Sequence, residues 1–292
     1  MDTPADPFAS LAEDTLRLEQ TGPTSFQSTH THDNSQGAIF GGQFLAQALL
    51  AAQATVAGQW PAHSASAYFM RPGGMDAPVE YEVECVRDGR AFANRRVVAR
   101  QKGKALFDMI CSFHEPESGP SHQSRLPEGL PGPDDLPDLA DYLRANADRI
   151  PAEDVASYLQ PIPVQFRLID PETTFHLNGK PATSRSFWMR FPSGERVSEL
   201  RRHQPLIAYV SDFWLGPVAN ELHHPPFPKR WPVHTVSHTM TFHGLARTDE
   251  WMLYLVESPW AGEGLGFTRG LLFDRAGKLL VTTTQEVIMR HG

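Results

Sequence analysis

The chain carries the same hairpin twice, and this repetition limits its fold more than any other feature. With an offset of 174 residues, the stretch 251–290 falls on an earlier one: Gly277-Lys278 on Gly103-Lys104, Arg269 on Arg95, Leu271 on Val97 and Val287 on Phe113. Self-similarity at a fixed offset is the mark of one structural unit used twice. The last arm, 279–289, is rich in β-branched residues, lacks Pro and Gly, and follows the turn signal Asp274-Arg275-Ala276-Gly277-Lys278, so it reads as a strand. Strand alternation places Leu279, Val281, Thr283, Gln285, Val287 and Met289 on one face, a mostly apolar row containing one long amide. The matching row of the first copy is Ala105, Phe107, Met109, Cys111 and Phe113, so Gln285 stands in the place of Cys111. An unpaired buried amide costs about 1–3 kcal/mol, so a polar partner is expected.

Each copy also has an apolar helical stretch. Residues 41–54, Gly41-Gly42-Gln43 through Ala54, are Ala- and Leu-rich and apolar nearly all round, which predicts a helix buried on most sides. The glycine pair admits a close neighbour at its N-terminus, either another backbone or a ligand. In the second copy, 202–215 takes this role: Gln204-Pro205-Leu206 falls on Gln43-Phe44-Leu45 at a spacing of 161, and the 13-residue difference is placed in the Pro- and His-rich loop Glu221 to Pro232. Asp212 then replaces Ala51, or Ala38 at the uncorrected spacing, so a carboxylate stands where the first copy has alanine. A carboxylate on a helix facing an amide on a sheet can hold and activate a water molecule. The structural alternative is a helix cap or ion pair for Asp212 and a satisfied core amide for Gln285.

Taken in order, 7–19 predicts a leading helix ending at Thr21-Gly22-Pro23, and 24–31 an edge strand. Strands follow at 64–70, 79–86, 91–100 and 105–114, an antiparallel meander able to wrap around the helix. The run 87–104 holds seven basic residues against Asp88, either a solvated face or a receiver for a phosphorylated ligand. Six prolines between Glu115 and Pro137 mark a connection, with a short helix at 139–150. Strands at 164–169 and 185–191 open the second unit. The expected division is 1–115, a linker 116–150, and 151–292 carrying the site.

A net charge of −8 argues against general nucleic-acid binding, and a mean hydropathy of −0.36 without a long apolar run argues against a membrane span. The N-terminus lacks signal-peptide features, and the two cysteines, Cys85 and Cys111, form no disulfide framework, so a cytoplasmic setting is expected. The pairs His30/His32, His223/His224 and His238/His243 lack the companions of a metal site; neither metal nor cofactor is expected. Gly262 to Phe267 reads as a hairpin turn rather than a nucleotide loop.

Several motifs, in chain order, resemble the acyl-CoA thioesterase II family: Phe40-Gly41-Gly42-Gln43, His63-Ser64 followed by Tyr68 through Gly73, Arg87-Asp88-Gly89-Arg90, Tyr209-Val210-Ser211-Asp212, and Thr284-Gln285-Glu286 with Met289-Arg290. The resemblance implies an α+β double hot-dog fold, two tandem antiparallel sheets each wrapped around a central helix. It further implies hydrolysis of acyl-CoA to free acid and CoA, homo-oligomers of two or four chains, and a catalytic Asp, Thr and Gln at Asp212, Thr235 and Gln285. Thr235, placed by this resemblance alone, would replace Pro61 at the repeat offset. Two departures from the family pattern are Ser237 before His238, where an acidic residue is common, and Leu265 before Gly266, where a basic one is. No Gly-x-Ser-x-Gly elbow is present, which favours direct attack by water over an acyl-enzyme. A non-catalytic acyl-ligand-binding protein stays open, as does an enoyl-CoA hydratase, although the Asp-x-x-x-x-His spacing expected of the latter is absent.

Overall fold

The computed structural model describes residues 16–34, 37–180, 183–223 and 233–290. The first half runs β1 (Leu18–Gly22), β2 (Ser25–Ser28), α1 (Gly41–Ala54), β3 (Ala62–Phe69), β4 (Glu80–Asp88), β5 (Phe92–Gln101) and β6 (Lys104–His114). Two short helices, α2 (Leu139–Ala145) and α3 (Ala152–Tyr158), lead to β7 (Gln165–Leu168), a one-turn helix α4 (Pro171–Thr174) and β8 (Ser184–Arg190). Then come α5 (His203–Ser211), β9 (Val233–Phe242), β10 (Met252–Gly262), β11 (Leu265–Asp274) and β12 (Leu279–Met289).

The expected double hot-dog is present, with its two sheets joined edge to edge. Among the described residues, twelve strands form one antiparallel sheet in the order β1-β2-β4-β5-β6-β3-β9-β12-β11-β10-β8-β7. The seam is β3 on β9, with Ser66 opposite Thr239 and Ala65 opposite Met240, so the halves meet about an approximate two-fold axis. Inside the curve lie α1 and α5, packed antiparallel: Gly41 lies against Asp212 at one end, and Gln53 donates to the Arg201 carbonyl at the other. From Gly42 to Gln53, α1 is buried except at Leu50, as its all-round apolarity predicts. The main core cluster draws on both helices and both halves of the sheet, with smaller ones around Trp188 and Trp251 and around Ala219 and Val287.

Side-chain facing shows where the repeat slips. β5 turns Ala93, Arg95, Val97 and Ala99 inward, whereas β11 turns Gly266, Thr268, Gly270 and Leu272 inward. Cys111 pairs with Arg95 and Gln285 pairs with Thr268. Thr268, not Arg269, is therefore the counterpart of Arg95, and Gly270, not Leu271, that of Val97. The cause is the turn. Gln101 and Lys104 close around a two-residue reversal with Lys102 and Gly103 at positive φ, while Asp274 and Lys278 close around three residues with only Gly277 there. One added residue moves every upstream side chain to the other face, an effect that an alignment on the glycine hides. The same slip corrects Thr235: Val287 pairs with Thr235 where Phe113 pairs with Ala62, so Thr235 replaces Ala62 rather than Pro61.

Other expectations change in extent. The leading helix at 7–19 lies mostly outside the described residues, but Leu18 and Glu19 belong to β1, which forms the sheet edge that 24–31 was expected to occupy. The second helix ends at Ser211 rather than running to Leu215, because Trp214 takes a left-handed φ of 59° and Gly216–His223 continues as a 3-10 helix. Most of the expected insertion at 221–232 falls outside the described residues. The proline-rich segment has one 3-10 turn, Pro133–Asp135, and lies along the second half, where the Trp188 indole donates to the Pro131 carbonyl at 2.9 Å. In the basic run, Arg96 pairs with Asp108, Arg100 with Glu82 and Lys102 with Asp76, an ion-paired sheet face.

Candidate active site

Asp212 occupies the C-cap of α5, where the negative end of the helix dipole alone disfavours a carboxylate. The antiparallel partner helix reverses this. Phe40, at the N-cap of α1, supplies no side-chain acceptor, so the first-turn N–H groups of α1 need one from elsewhere. The Gly42 N–H favours the charged form of Asp212. The glycine pair makes this approach possible: a Cβ on Gly41 would lie 2.6 Å from Asp212 Oδ2, and one on Gly42 would lie 2.1 Å from the Tyr209 carbonyl oxygen. Of the two neighbours the sequence allowed at this N-terminus, a second backbone is present, and it brings a carboxylate with it.

β12 turns Gln285 into the same space. Its Nε2 donates to Asp212 Oδ1 at 2.9 Å and to Thr235 Oγ1 on β9 at 2.5 Å, so both amide protons are used and the acid and hydroxyl are fixed relative to each other. The partner expected for a buried amide is thus the carboxylate predicted on the facing helix. Burial pushes the Asp212 carboxyl up to about 6, against the opposing pull of the Gln285 amide, the Gly42 N–H and the Thr235 hydroxyl. Such a group is ionised near neutrality yet basic enough to take a proton. All three residues at which the sequence and the family resemblance place the chemistry meet here, drawn from α5, β9 and β12 and completed by the N-terminus of α1.

The site also holds residues that the sequence reading passed over. His238, fully buried on β9 and paired in register with Gln285, sets its Nδ1 4.0 Å from Asp212 Oδ1 and its Nε2 3.0 Å from Ser211 Oγ. Burial drives its imidazole down to about 3, so it is neutral. Alternation along 233–242 does place His238 inward with Met240 and Phe242, a signal obscured by reading the histidines only as metal ligands. The Tyr254 hydroxyl lies 3.2 Å from the Ser211 carbonyl oxygen and 2.6 Å from Thr283 Oγ1, donating to one and accepting from the other where Thr283 is the donor, in space left by Gly270. Half-buried rings flank the carboxylate: Phe69 lies beside Gly41, and Phe40 packs on Phe213 with centroids 4.6 Å apart and planes tilted by 51°.

Neither departure from the family pattern touches this cluster. Ser237 pairs with Glu286 on the outer sheet face, and Leu265 pairs with Ile288 at the start of β11. Among the described residues, no group of three or more His, Cys, Asp or Glu side chains converges as a metal site, and no helix is long and apolar enough to cross a membrane. A separate cleft, bordered by Asp170, Thr173, Ser184 and the buried Arg185–Glu221 ion pair, shares no residue with this cluster.

Comparison with known proteins identifies the family of the chain. Residues 29–114 match the model of the acyl-CoA thioesterase N-terminal domain and 128–289 that of the acyl-CoA thioesterase C-terminal domain. The chain is 33% identical to acyl-coenzyme A thioesterase 8 of Mus musculus over 99% of its length and 92% of that protein. It is 32% identical to acyl-CoA thioesterase 2 of Haemophilus influenzae, covering 95% of this chain and 96% of that one. Among solved structures, the acyl-CoA thioesterase II TesB2 of Mycobacterium marinum superposes with a TM-score of 0.75 at 31% identity, over 96% of this chain and 98% of its own. The chain belongs to the acyl-CoA thioesterase family.

Proposed function

We propose that this chain hydrolyses acyl-CoA thioesters to the free acid and CoA, with Asp212, Thr235 and Gln285 as its catalytic residues. The observation that carries the reading is the single amide bonded to both the acid and the hydroxyl, at 2.9 and 2.5 Å, beside an uncapped helix N-terminus. Asp212 takes a proton from a water molecule held against the carboxylate and the Thr235 hydroxyl, and that water attacks the thioester carbonyl. General-base help of this kind contributes about 10²–10⁴ in rate. The Gly42 N–H serves Asp212 and the Gln43 N–H the Phe40 carbonyl, which leaves the Gly41 N–H of that turn as the donor proposed for the developing oxyanion, and Phe40, Phe69 and Phe213 offer an apolar wall for the acyl chain. The C–S bond then breaks and CoA leaves as the thiol, taking up the proton that Asp212 removed from the water.

The same reading divides the chain into units 1–115 and 151–292 joined by 116–150, and places it as a homo-oligomer of two or four chains in the cytoplasm. Free-thiol release from a panel of acyl-CoA esters tests the activity. Hydrolysis is expected for at least one ester. Binding without thiol release would make the chain an acyl-ligand carrier, and loss of enoyl absorbance without thiol release would make it a hydratase; either outcome sinks the proposal.

A further inference from the structure

Two side chains that the hydrolytic reading does not use, Ser211 and His238, form a line with Asp212. The Ser211 hydroxyl lies 3.0 Å from His238 Nε2, and the other ring nitrogen faces Asp212 Oδ1 at 4.0 Å, beyond hydrogen-bond distance and without another partner among the described residues. His238 is fully buried, so an unmatched ring nitrogen there is costly unless it serves the group it faces. The neighbouring Gln285 Oε1 is likewise buried and unmatched, on the residue paired with His238 across β9 and β12.

We propose that His238 is a positioning residue for Asp212: the Ser211 hydroxyl, whose one proton reaches either the Ala208 carbonyl or Nε2, gives it to Nε2, which fixes the tautomer that presents Nδ1–H to the carboxylate. The order of contacts, hydroxyl to imidazole to acid, is that of a serine hydrolase, but Ser211 is in no position to attack. Its Oγ lies inside α5, 2.9 Å from the Ala208 carbonyl and 3.5 Å from the Met240 sulfur, with 2% of the residue exposed. The hydroxyl therefore orients the ring, and the ring turns a proton donor toward the carboxylate. A proton donor aimed at Asp212 favours its charged form, so losing that donor raises the pH at which the base becomes active. Among the described residues, the other groups facing Asp212 are the Gly42 N–H on α1, Tyr209 on α5, Thr235 on β9, Tyr254 on β10 and Gln285 on β12, none of them cationic.

The inference rests on the thioesterase reading, and its test is the acid limb of kcat/KM against pH for thiol release. With wild type as reference, His238→Leu should move the limb up by about one pH unit, so that turnover on the acid side falls roughly tenfold. His238→Asn, whose amide N–H lies where Nδ1–H was, should restore the limb to within about 0.3 unit, and Ser211→Ala should move it in the same direction as His238→Leu by less. If His238→Leu fails to fold, the Ser211→Ala limb decides; if turnover is too slow, the 13C-carboxylate titration of Asp212 reads the same shift. A limb unmoved in whichever variant decides, or an acyl adduct on Ser211 in quenched mass spectra, overturns the proposal. Full turnover in Asp212→Asn would instead refute the thioesterase site itself, whatever His238 does.

Discussion

In the first half, the inward positions that face one another across β3 and β6 are Ala62, Ala65 and Cys111; in the second half, β9 and β12 put Thr235, His238 and Gln285 there. The helix ends differ in the same sense. At the C-terminus of α1, Arg95 reaches in from β5, donates to Thr55 Oγ1 and the Thr55, Arg87 and Asn94 carbonyls, and pairs with Asp88 at 2.6 Å. A buried guanidinium thus neutralises the negative end of that helix. In the second half the position of Arg95 is taken by Thr268, a short side chain bonded back to the Gln285 carbonyl, and the end of α5 is left to Asp212. The first half has closed its site with a cation and small apolar groups, including a Cys111 thiol that burial pushes up to about 12 and so keeps inert. The second half keeps the cavity polar and accepts an acid in an unfavourable place, stabilised by the N-terminus of the other half's helix. One fold thus carries a structural copy and a chemical copy, and the chemical copy needs the structural one beside it.

Breaking the first half should cost stability and leave the chemistry intact. Arg95→Met strands several buried carbonyls and should lower unfolding free energy by about 3–5 kcal/mol in urea titrations, while kcat of the folded fraction stays within about twofold. A comparable loss of kcat would place Arg95 in the chemistry instead.

Making the second half resemble the first should do the opposite. Gln285→Cys installs the residue of the counterpart position and removes both bonds that fix the acid and the hydroxyl. Turnover should fall roughly 10²-fold with KM changed little, as steady-state thiol release will show.

The smallest expected effect concerns the energetic cost of the buried acid. Because the folded-state carboxyl of Asp212 lies at about 6, above the unfolded value of about 4, the folded chain binds the extra proton between those values. Its contribution to stability is therefore full below about pH 4, declines as pH rises through about 6, and amounts to a deficit of about 3 kcal/mol at most above that. Asp212→Asn removes the deficit but sets an amide N–H against the Gly42 N–H, so the net gain is expected to be about 1–2 kcal/mol. Melting temperature should rise a few degrees at pH 8 and show no gain at pH 4; a gain independent of pH would mean that the carboxylate is not the strained group.

Much of this contrast was legible in the sequence. The all-round apolarity of 41–54 and the alternation of 279–289 gave the buried helix and the inward facing of Gln285, because both depend only on local periodicity. Asp212 emerged from comparing the copies, since a carboxylate against alanine is visible in any register. Thr235 came from family resemblance alone: it lies beyond the β-bulge between Glu286 and Val287, where counting by twos fails. Arg95 was matched to the wrong residue because one extra turn residue shifts β11 relative to β12. Ser211 and His238 were missed because their contact depends on how α5 packs on β9, which no local pattern encodes.

The most direct test of one working site per chain is the residual kcat of Asp212→Asn for the best acyl-CoA ester, measured by thiol release at pH 8, well above the wild-type acid limb. A residue of about 1% or less is expected, since the first half has nothing to take over. A value near half of wild type would mean that the first half also hydrolyses thioesters, and would contradict the division of roles between the two copies.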